Sequence, residues 1–469
     1  MRRALGIMIG VGALACGETA QAQSVAELQR QIDDLKAQVA QLIAAQKGAA
    51  SAAAVPAVPV TPAPQMAAVA PEAATQVQPV AAAPTRKPWF ERVTLRGYTQ
   101  LRFSEFLSGD RTTPAGVSRL RSVHDGGVGD GTNFTLRRVR LVLQGDATDH
   151  ISFYLQPDFA TNVNNQSGGE RREGFLQLRD AYVDLFLDDA KSVRVRFGQS
   201  KVPFGWENMQ SSSNRLTLDR SDGINSAVPS ERDLGIVAYQ TPPTVQATWT
   251  RLTRDGQKLF GNYGAFGVGV FNGQGTNRAE TNDGLMTVAM ATWPFALDGL
   301  GDAFRGQVLE LGGAAIRNRV QPEIRSGGVS AVSYKDDRIG LHAILYPQPL
   351  GLQAEWNWGR GPEYDDVLRA ITTKSLNGGY GQVMGRVRHS PVGPFMPYAR
   401  WQRYRGGWKA LTNAPRLETD EWELGVEFQP SPALEWTLAY ARMERREADE
   451  RRSGRAEGNL IRTQLQWNY

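Results

Sequence analysis

Hydrophobic positions along this chain follow two periods. Val25, Leu28, Ile32, Leu35, Val39 and Leu42 are spaced by three and four residues, with β-branched residues alternating with Leu along one seam. That pattern predicts a short coiled-coil helix over residues 23–47, which needs partner helices because so short a helix is marginal alone. Beyond residue 89 the period falls to two. Alternating segments recur at Val93–Phe103, Leu136–Gly145, Ile151–Asp158, Ala181–Leu187, Val193–Gly198, Gln382–Arg388, Phe395–Gln402, Trp422–Phe428, Leu434–Tyr440 and Ile461–Tyr469. The last is the clearest. Ile461, Leu465, Trp467 and Tyr469 share one face with Thr463, and Arg462, Gln464, Gln466 and Asn468 occupy the other. Such a strand has one apolar and one wet side.

In a soluble sandwich the apolar side faces a core, and in a membrane barrel it faces lipid while the polar side lines a watery lumen. The connections separate the two. Asp146–His150, Lys191–Ser192, Ser390–Pro394 and Gln429–Ala433 read as tight turns, whereas 104–133, 159–175, 199–232, 403–421 and 443–459 read as long loops rich in Gly, Asp, Arg and Ser. Short turns on one side and long loops on the other are the pattern of outer-membrane barrels. At roughly 24 residues per strand and connection, residues 89–469 hold about 16 antiparallel strands, the class that leaves a water-filled channel. The expected fold is all-β, a transmembrane barrel preceded by the coiled-coil helix and a linker. That linker, residues 48–88, is mostly Ala, Pro, Val and Gln, which packs no core and predicts a disordered, extended spacer.

Ahead of the helix, Met1-Arg2-Arg3 and the apolar run Ala4 to Ala15 precede Ala20-Gln21-Ala22, so residues 1–22 read as a secretory signal peptide. The single cysteine, Cys16, falls inside it, which excludes a disulfide framework and a cysteine metal site. Lipoprotein cleavage before Cys16 is disfavoured by the poor match of Ala13-Leu14-Ala15 to the usual Leu-led box. Mean hydropathy is −0.39, too polar for a helical membrane protein, and a barrel escapes that test because only alternate residues are apolar. Net charge is +5; of 53 basic residues nine are Lys and 44 Arg. Arg forks onto phosphate and carboxylate at two points and stays charged. Its spread over strands, balanced by 48 acids, argues against a nucleic-acid partner. His124, His150, His342 and His389 show no catalytic or metal-binding spacing, so neither an enzyme nor a cofactor is expected; His124-Asp125-Gly126 and Asp130-Gly131 read as solvated loop.

With apolar partners facing lipid, Arg96, Tyr98, Gln100 and Arg102 face inward in the first strand, and Arg138 and Arg140 in the second. The same rule turns Arg194, Arg196, Arg386, Arg388 and Arg400 inward. Asp180, Asp184, Glu421, Glu423 and Glu427 also point in, as partners for some of these arginines. An Arg-lined lumen concentrates small anions such as phosphate and passes them along. Segment 199–232 carries Lys201, Ser211, Ser212, Ser213, Arg215 and Arg220, and either folds into the lumen or lies outside as a surface loop.

Leu95-Arg96-Gly97-Tyr98-Thr99-Gln100, Arg137-Arg138-Val139-Arg140, Asp180-Ala181-Tyr182-Val183-Asp184 and Phe197-Gly198-Gln199-Ser200-Lys201-Val202-Pro203-Phe204-Gly205 resemble the phosphate-selective porins O and P. Arg232-Asp233-Leu234-Gly235, Val270-Phe271-Asn272-Gly273 and Pro397-Tyr398-Ala399-Arg400-Trp401-Gln402 extend the likeness over most of 89–469. The resemblance implies a 16-stranded homotrimeric porin with an inward third loop and an arginine ladder. By motif it places Ser211, Ser212 and Arg220 in that loop, and Arg137, Arg138 and Asp180 in matching strands, as candidates for the constriction. Lysine is scarce, and Met290 stands where relatives often carry Arg. A C-terminal aromatic such as Tyr469 resembles the signal read by the barrel assembly machinery. The implied function is passive diffusion of anions through an outer membrane, with the helix in the periplasm. A porin for other solutes and an envelope tether built on the coiled coil are the alternatives.

Overall fold

A computed structural model describes Ala37 and residues 89–469, except 111–119, 121–127, 129–131, 162–174, 262, 283, 392 and 452. The expected signal peptide, coiled-coil helix and linker lie outside the described residues apart from the helical Ala37, as do His124-Asp125-Gly126 and Asp130-Gly131.

The strands are β1 (Val93–Gly109), β2 (Asn133–Asp146), β3 (Ile151–Thr161), β4 (Phe175–Phe186), β5 (Val193–Lys201), β6 (Arg232–Gln240), β7 (Phe266–Phe271), β8 (Met286–Ala296), β9 (Val308–Arg317), β10 (Arg319–Val320), β11 (Tyr334–Lys335), β12 (Asp337–Leu345), β13 (Leu350–Asp365), β14 (Ala370–Gly385), β15 (Phe395–Gly407), β16 (Arg416–Ser431), β17 (Leu434–Ala448) and β18 (Arg455–Asn468). All except the β10–β11 ribbon close into a 16-stranded antiparallel barrel, as expected from the alternation. Outward residues such as Leu95, Phe134, Val268 and Leu341 are exposed for lipid, and the alternate residues are buried inside. No helix among the described residues is long and apolar enough to cross a membrane.

The barrel closes where β1 meets β18. The Tyr469 N–H donates to the Gly97 carbonyl at 3.0 Å, and the Gly97 N–H donates to the Tyr469 carbonyl at 2.6 Å. Gly97 is required there, because a Cβ would lie 2.4 Å from the Tyr469 ring. Two β-bulges alter the simple alternation. Gln100 pairs with Arg138 but Leu101 with Leu136, which leaves Arg137 as an extra residue. Gln156 pairs with Asp180 but Pro157 with Leu178, which leaves Arg179 extra. An extra residue switches which parity faces inward. Arg137 and Arg138 therefore both point into the lumen, as do Arg179 and Asp180.

Segments 403–421 and 443–459, expected as long loops, are mostly strand, with only 408–415 and 449–454 left as connections. Their outer ends are polar on both faces, so alternation is invisible, yet charges on neighbouring strands hold them together: Glu418 of β16 meets Arg446 of β17 at 3.2 Å and Arg455 of β18 at 3.4 Å. At the short-turn end, 241–265 and, to a lesser degree, 297–307 depart from brevity.

Two segments enter the lumen from opposite ends. Residues 202–231 fold inward with helices α1 (Trp206–Met209) and α2 (Asp222–Ala227), the latter capped by the Ser221 hydroxyl accepting from Ile224 N–H at 3.3 Å. This resolves the open alternative for that segment. From the short-turn end, 241–261 carries α3 (Pro243–Arg254), whose proline start suits the first helical turn. Phe204, Trp206 and Met209 of the first segment and Leu252, Leu259 and Phe260 of the second share a buried apolar cluster. The wall side of that cluster is Val237, Tyr239, Phe271, Met286, Val288, Met290, Val308, Ile316, Ile344 and Tyr346.

Candidate functional site

The inward loop meets a polar wall on β1, β2 and β18. The Ser212 hydroxyl is 2.7 Å from the Tyr98 hydroxyl and accepts from Arg140 at 3.0 Å, and its carbonyl accepts from Gln100 at 3.0 Å. Ser211 bonds Ser213 at 2.8 Å, and the Ser213 carbonyl accepts from Gln466 at 3.1 Å. Asp219 in the loop is held by Arg102 at 3.1 Å, Arg462 at 2.5 Å and Arg137 at 3.5 Å. Arg140 pairs with Asp158 at 2.7 Å. Ser211, Ser212 and Arg137, singled out by the family likeness, lie on this surface.

A second cluster surrounds Glu231 at the loop's exit. Arg220 lies 3.2 Å away, Arg179 3.7 Å, Lys201 and Arg215 3.9 Å, and Arg232 is in contact. Burial pushes the Glu231 carboxyl up, but Lys201, Arg220 and Arg232 together hold it well below the ordinary carboxylate range. Asp180 is occupied by Arg232 at 2.8 Å, and the Lys201 ammonium donates to the carbonyls of Asn208 and Gln210 at 2.9 and 2.6 Å. Cations outnumber carboxylates here. Arg138 donates through Nη1 to Gln100 at 2.7 Å, while its Nε, and the Nε and Nη2 of Arg215, are buried donors without a hydrogen-bond acceptor.

Other expected rungs are structural. Arg196 makes a two-point bond to Asp184 at 2.7 and 2.8 Å and lies 3.7 Å over the Tyr182 ring; Arg194 is 3.4 Å from the same carboxylate and lies over Tyr239. Arg400 is sealed against Glu207 at 2.7 Å and over Tyr380 at 4.0 Å. Arg96 and Arg386 line a vestibule at the short-turn end. Arg388 is a correction: β14 ends at Gly385, so Arg388 sits exposed in the following turn rather than on the wall. Met290 does face inward, as a member of the apolar cluster.

Several participants carried no singular signal in sequence. Arg179 is exposed to the lumen only by a bulge. Arg462 was on the wet face of the last strand but has its role only through Asp219. Lys258 belongs to the inserted 241–261 segment and reaches Glu427 at 2.8 Å and Glu435 at 3.3 Å on the opposite wall. Its carbonyl and that of Leu259 accept from Gln210 and Asn214 of the inward loop at 3.3 and 2.7 Å. The two inserted segments therefore brace each other across the lumen. Among the described residues no group of carboxylates, His or Cys is arranged to hold a metal.

No curated protein matches the sequence. Solved structures similar to the chain include the outer-membrane channel DcaP of Acinetobacter baumannii, at 12% identity and a TM-score of 0.48, over 80% of this chain and 97% of that one. OprB of Pseudomonas putida gives 10% identity and a TM-score of 0.47 over 81% and 95%. An anion-selective porin from Comamonas acidovorans gives 12% and 0.44 over 80% and 99%. Residues 113–469 match the model of the phosphate-selective porin O and P family, and the chain belongs to this family of outer-membrane porins.

Proposed function

We propose that the protein is a passive anion channel, phosphate among its solutes, whose selectivity is set where the inward loop meets β1 and β2. One observation carries the reading. Arg138 and Arg215 hold buried donors without acceptors, while the nearby carboxylates Asp158, Asp219 and Glu231 are already engaged by other cations. The arginines' positive charge is not neutralised by those carboxylates and draws passing anions, and charge-assisted bonds to guanidinium favour phosphate geometry. Arg96, Arg102, Arg137 and Arg140 complete the path, and Ser211 and Ser212 offer hydroxyls that replace part of the anion's hydration shell. In this reading the protein is secreted with a cleaved signal over 1–22, inserted by the barrel assembly machinery and trimeric, and its coiled coil at 23–47 stands in the periplasm.

Planar-bilayer conductance under a KCl gradient tests the proposal. The reversal potential is expected to have the anion-selective sign, and low-millimolar phosphate is expected to block chloride current. A cation-selective sign sinks the anion reading, and absence of phosphate block removes phosphate from the solute list. The heptad and linker also favour an envelope tether. Deleting 23–87 is expected to leave conductance intact and weaken envelope attachment, and unchanged attachment refutes the tether.

A further inference from the structure

We infer that the periplasmic vestibule binds organic anions carrying a flat aromatic ring, a class broader than inorganic phosphate. The inference rests on the anion-channel reading and names a further solute class for it. The vestibule has a volume of about 1160 Å³, just above the roughly 300–1,000 Å³ of sites that enclose drug-sized molecules, and far more than a bare oxyanion fills.

Its wall supplies two kinds of contact in one row. Across β1 to β4, Gln144 is opposite Tyr154 and Tyr154 is opposite Tyr182, and Arg96 donates to Gln144 Oε1 at 3.3 Å. The Tyr154 and Tyr182 rings are stacked, with centroids 5.1 Å apart and planes within 6°. Arg196 lies 3.7 Å over Tyr182 and is itself fixed by Asp184, so the platform is held from behind. Both tyrosines are only partly buried, which leaves aromatic surface facing the cavity. Arg96 is exposed beside them and, among the described residues, makes no ion pair. Across the vestibule Arg386 keeps its Nη1 without a hydrogen-bond partner. Each lining carboxylate faces a cation, Asp146 facing Lys191, Asp180 Arg232, Asp184 Arg196, and Glu427 and Glu435 sharing Lys258, although Asp180 Oδ1 and Glu427 Oε2 keep no hydrogen-bond partner. Next to the ring platform itself, the cation not paired with a carboxylate among the described residues is Arg96. A ring stacks on Tyr154 while its sulfonate, carboxylate or phosphate takes the fork of Arg96.

The test uses the full chain in planar bilayers, with benzenesulfonate and methanesulfonate as probes added on the periplasmic side. Benzenesulfonate is expected to block chloride current at a concentration at least ten-fold lower than methanesulfonate. Tyr154→Leu is expected to cut that ratio at least five-fold, and Tyr154→Phe to keep it. Equal block by the two probes on the unaltered protein overturns the inference, as does an unchanged ratio in Tyr154→Leu. Should Tyr154→Leu fail to assemble, the probe ratio on the unaltered protein and on Tyr154→Phe still decides. Ion selectivity is read before either probe is added. Loss of anion preference there overturns the channel reading, whereas equal block overturns only the ring site.

Discussion

The lumen faces of β1–β5 and of β6–β9 belong to one continuous wall and are opposite in character. The first presents Arg102, Arg138, Arg140, Asp158 and Asp180 to the interior. The second presents Val237, Tyr239, Phe271, Met286, Val288 and Met290. In β8 the usual rule is inverted, since Met286, Val288 and Met290 point inward while Thr287, Ala289 and Ala291 point out. Lumen-facing is not the same as water-facing. Where the inserted segments 202–231 and 241–261 pack, the interior is a dry core, and wall residues answer to that core rather than to a channel.

Substitutions break this contrast in graded ways. The largest effect is expected from Met290→Arg, which places an unpaired charge in the dry half. It is expected to destabilise the folded barrel by about 3 kcal/mol or more, read from the urea midpoint of unfolding. An unchanged midpoint would mean that this half is wet. Glu207→Gln leaves Arg400 buried without its carboxylate, a loss of about 3–5 kcal/mol that falls on the inward loop. The barrel is expected to survive, with larger and noisier single-channel conductance and faster proteolysis within 202–231. Lys258→Ala leaves Glu427 and Glu435 without their cation, so the chloride-over-potassium permeability ratio is expected to fall several-fold while barrel stability changes less. An unchanged reversal potential would place Lys258 off the ion path. Removing Tyr469 is expected to be the mildest for the finished pore. It deletes two closing hydrogen bonds of about 1 kcal/mol each and lowers assembled yield without altering selectivity, as membrane fractions and bilayer recordings would show.

The same contrast explains what the sequence revealed. The ten segments named all fall on strands of β1–β5 and β14–β18, where a polar lumen sets off an apolar outside, though Gln382–Arg388 runs past the end of β14 at Gly385. β6 to β9 gave no such signal because both faces are apolar or small, as in Phe266-Gly267-Val268-Gly269-Val270-Phe271. β13 was missed for no such reason, since Leu352-Gln353-Ala354-Glu355-Trp356-Asn357-Trp358 alternates as cleanly as the segments that were named. Around the site, the arginines and the loop serines were readable from motif and parity. Their partners were not, because Asp219 meets Arg462 across 243 residues and Lys258 meets Glu427 only after a turn segment has folded inward. The doubled inward residues at Arg137 and Arg179 depend on bulges, which a strict two-residue period hides.

The inward loop also has a mechanical consequence. It is bonded to β1 through Arg102, to β2 through Arg140, to β12 through Arg338, to β13 through Asn357, to β15 through Arg400, to β17 through Arg445 and to β18 through Arg462. These contacts radiate like spokes from a hub. Squeezing the barrel toward an oval would shorten some spokes and stretch others, and each is a charged or amide bond with little slack. The cross-section is thereby expected to resist lateral pressure from the bilayer.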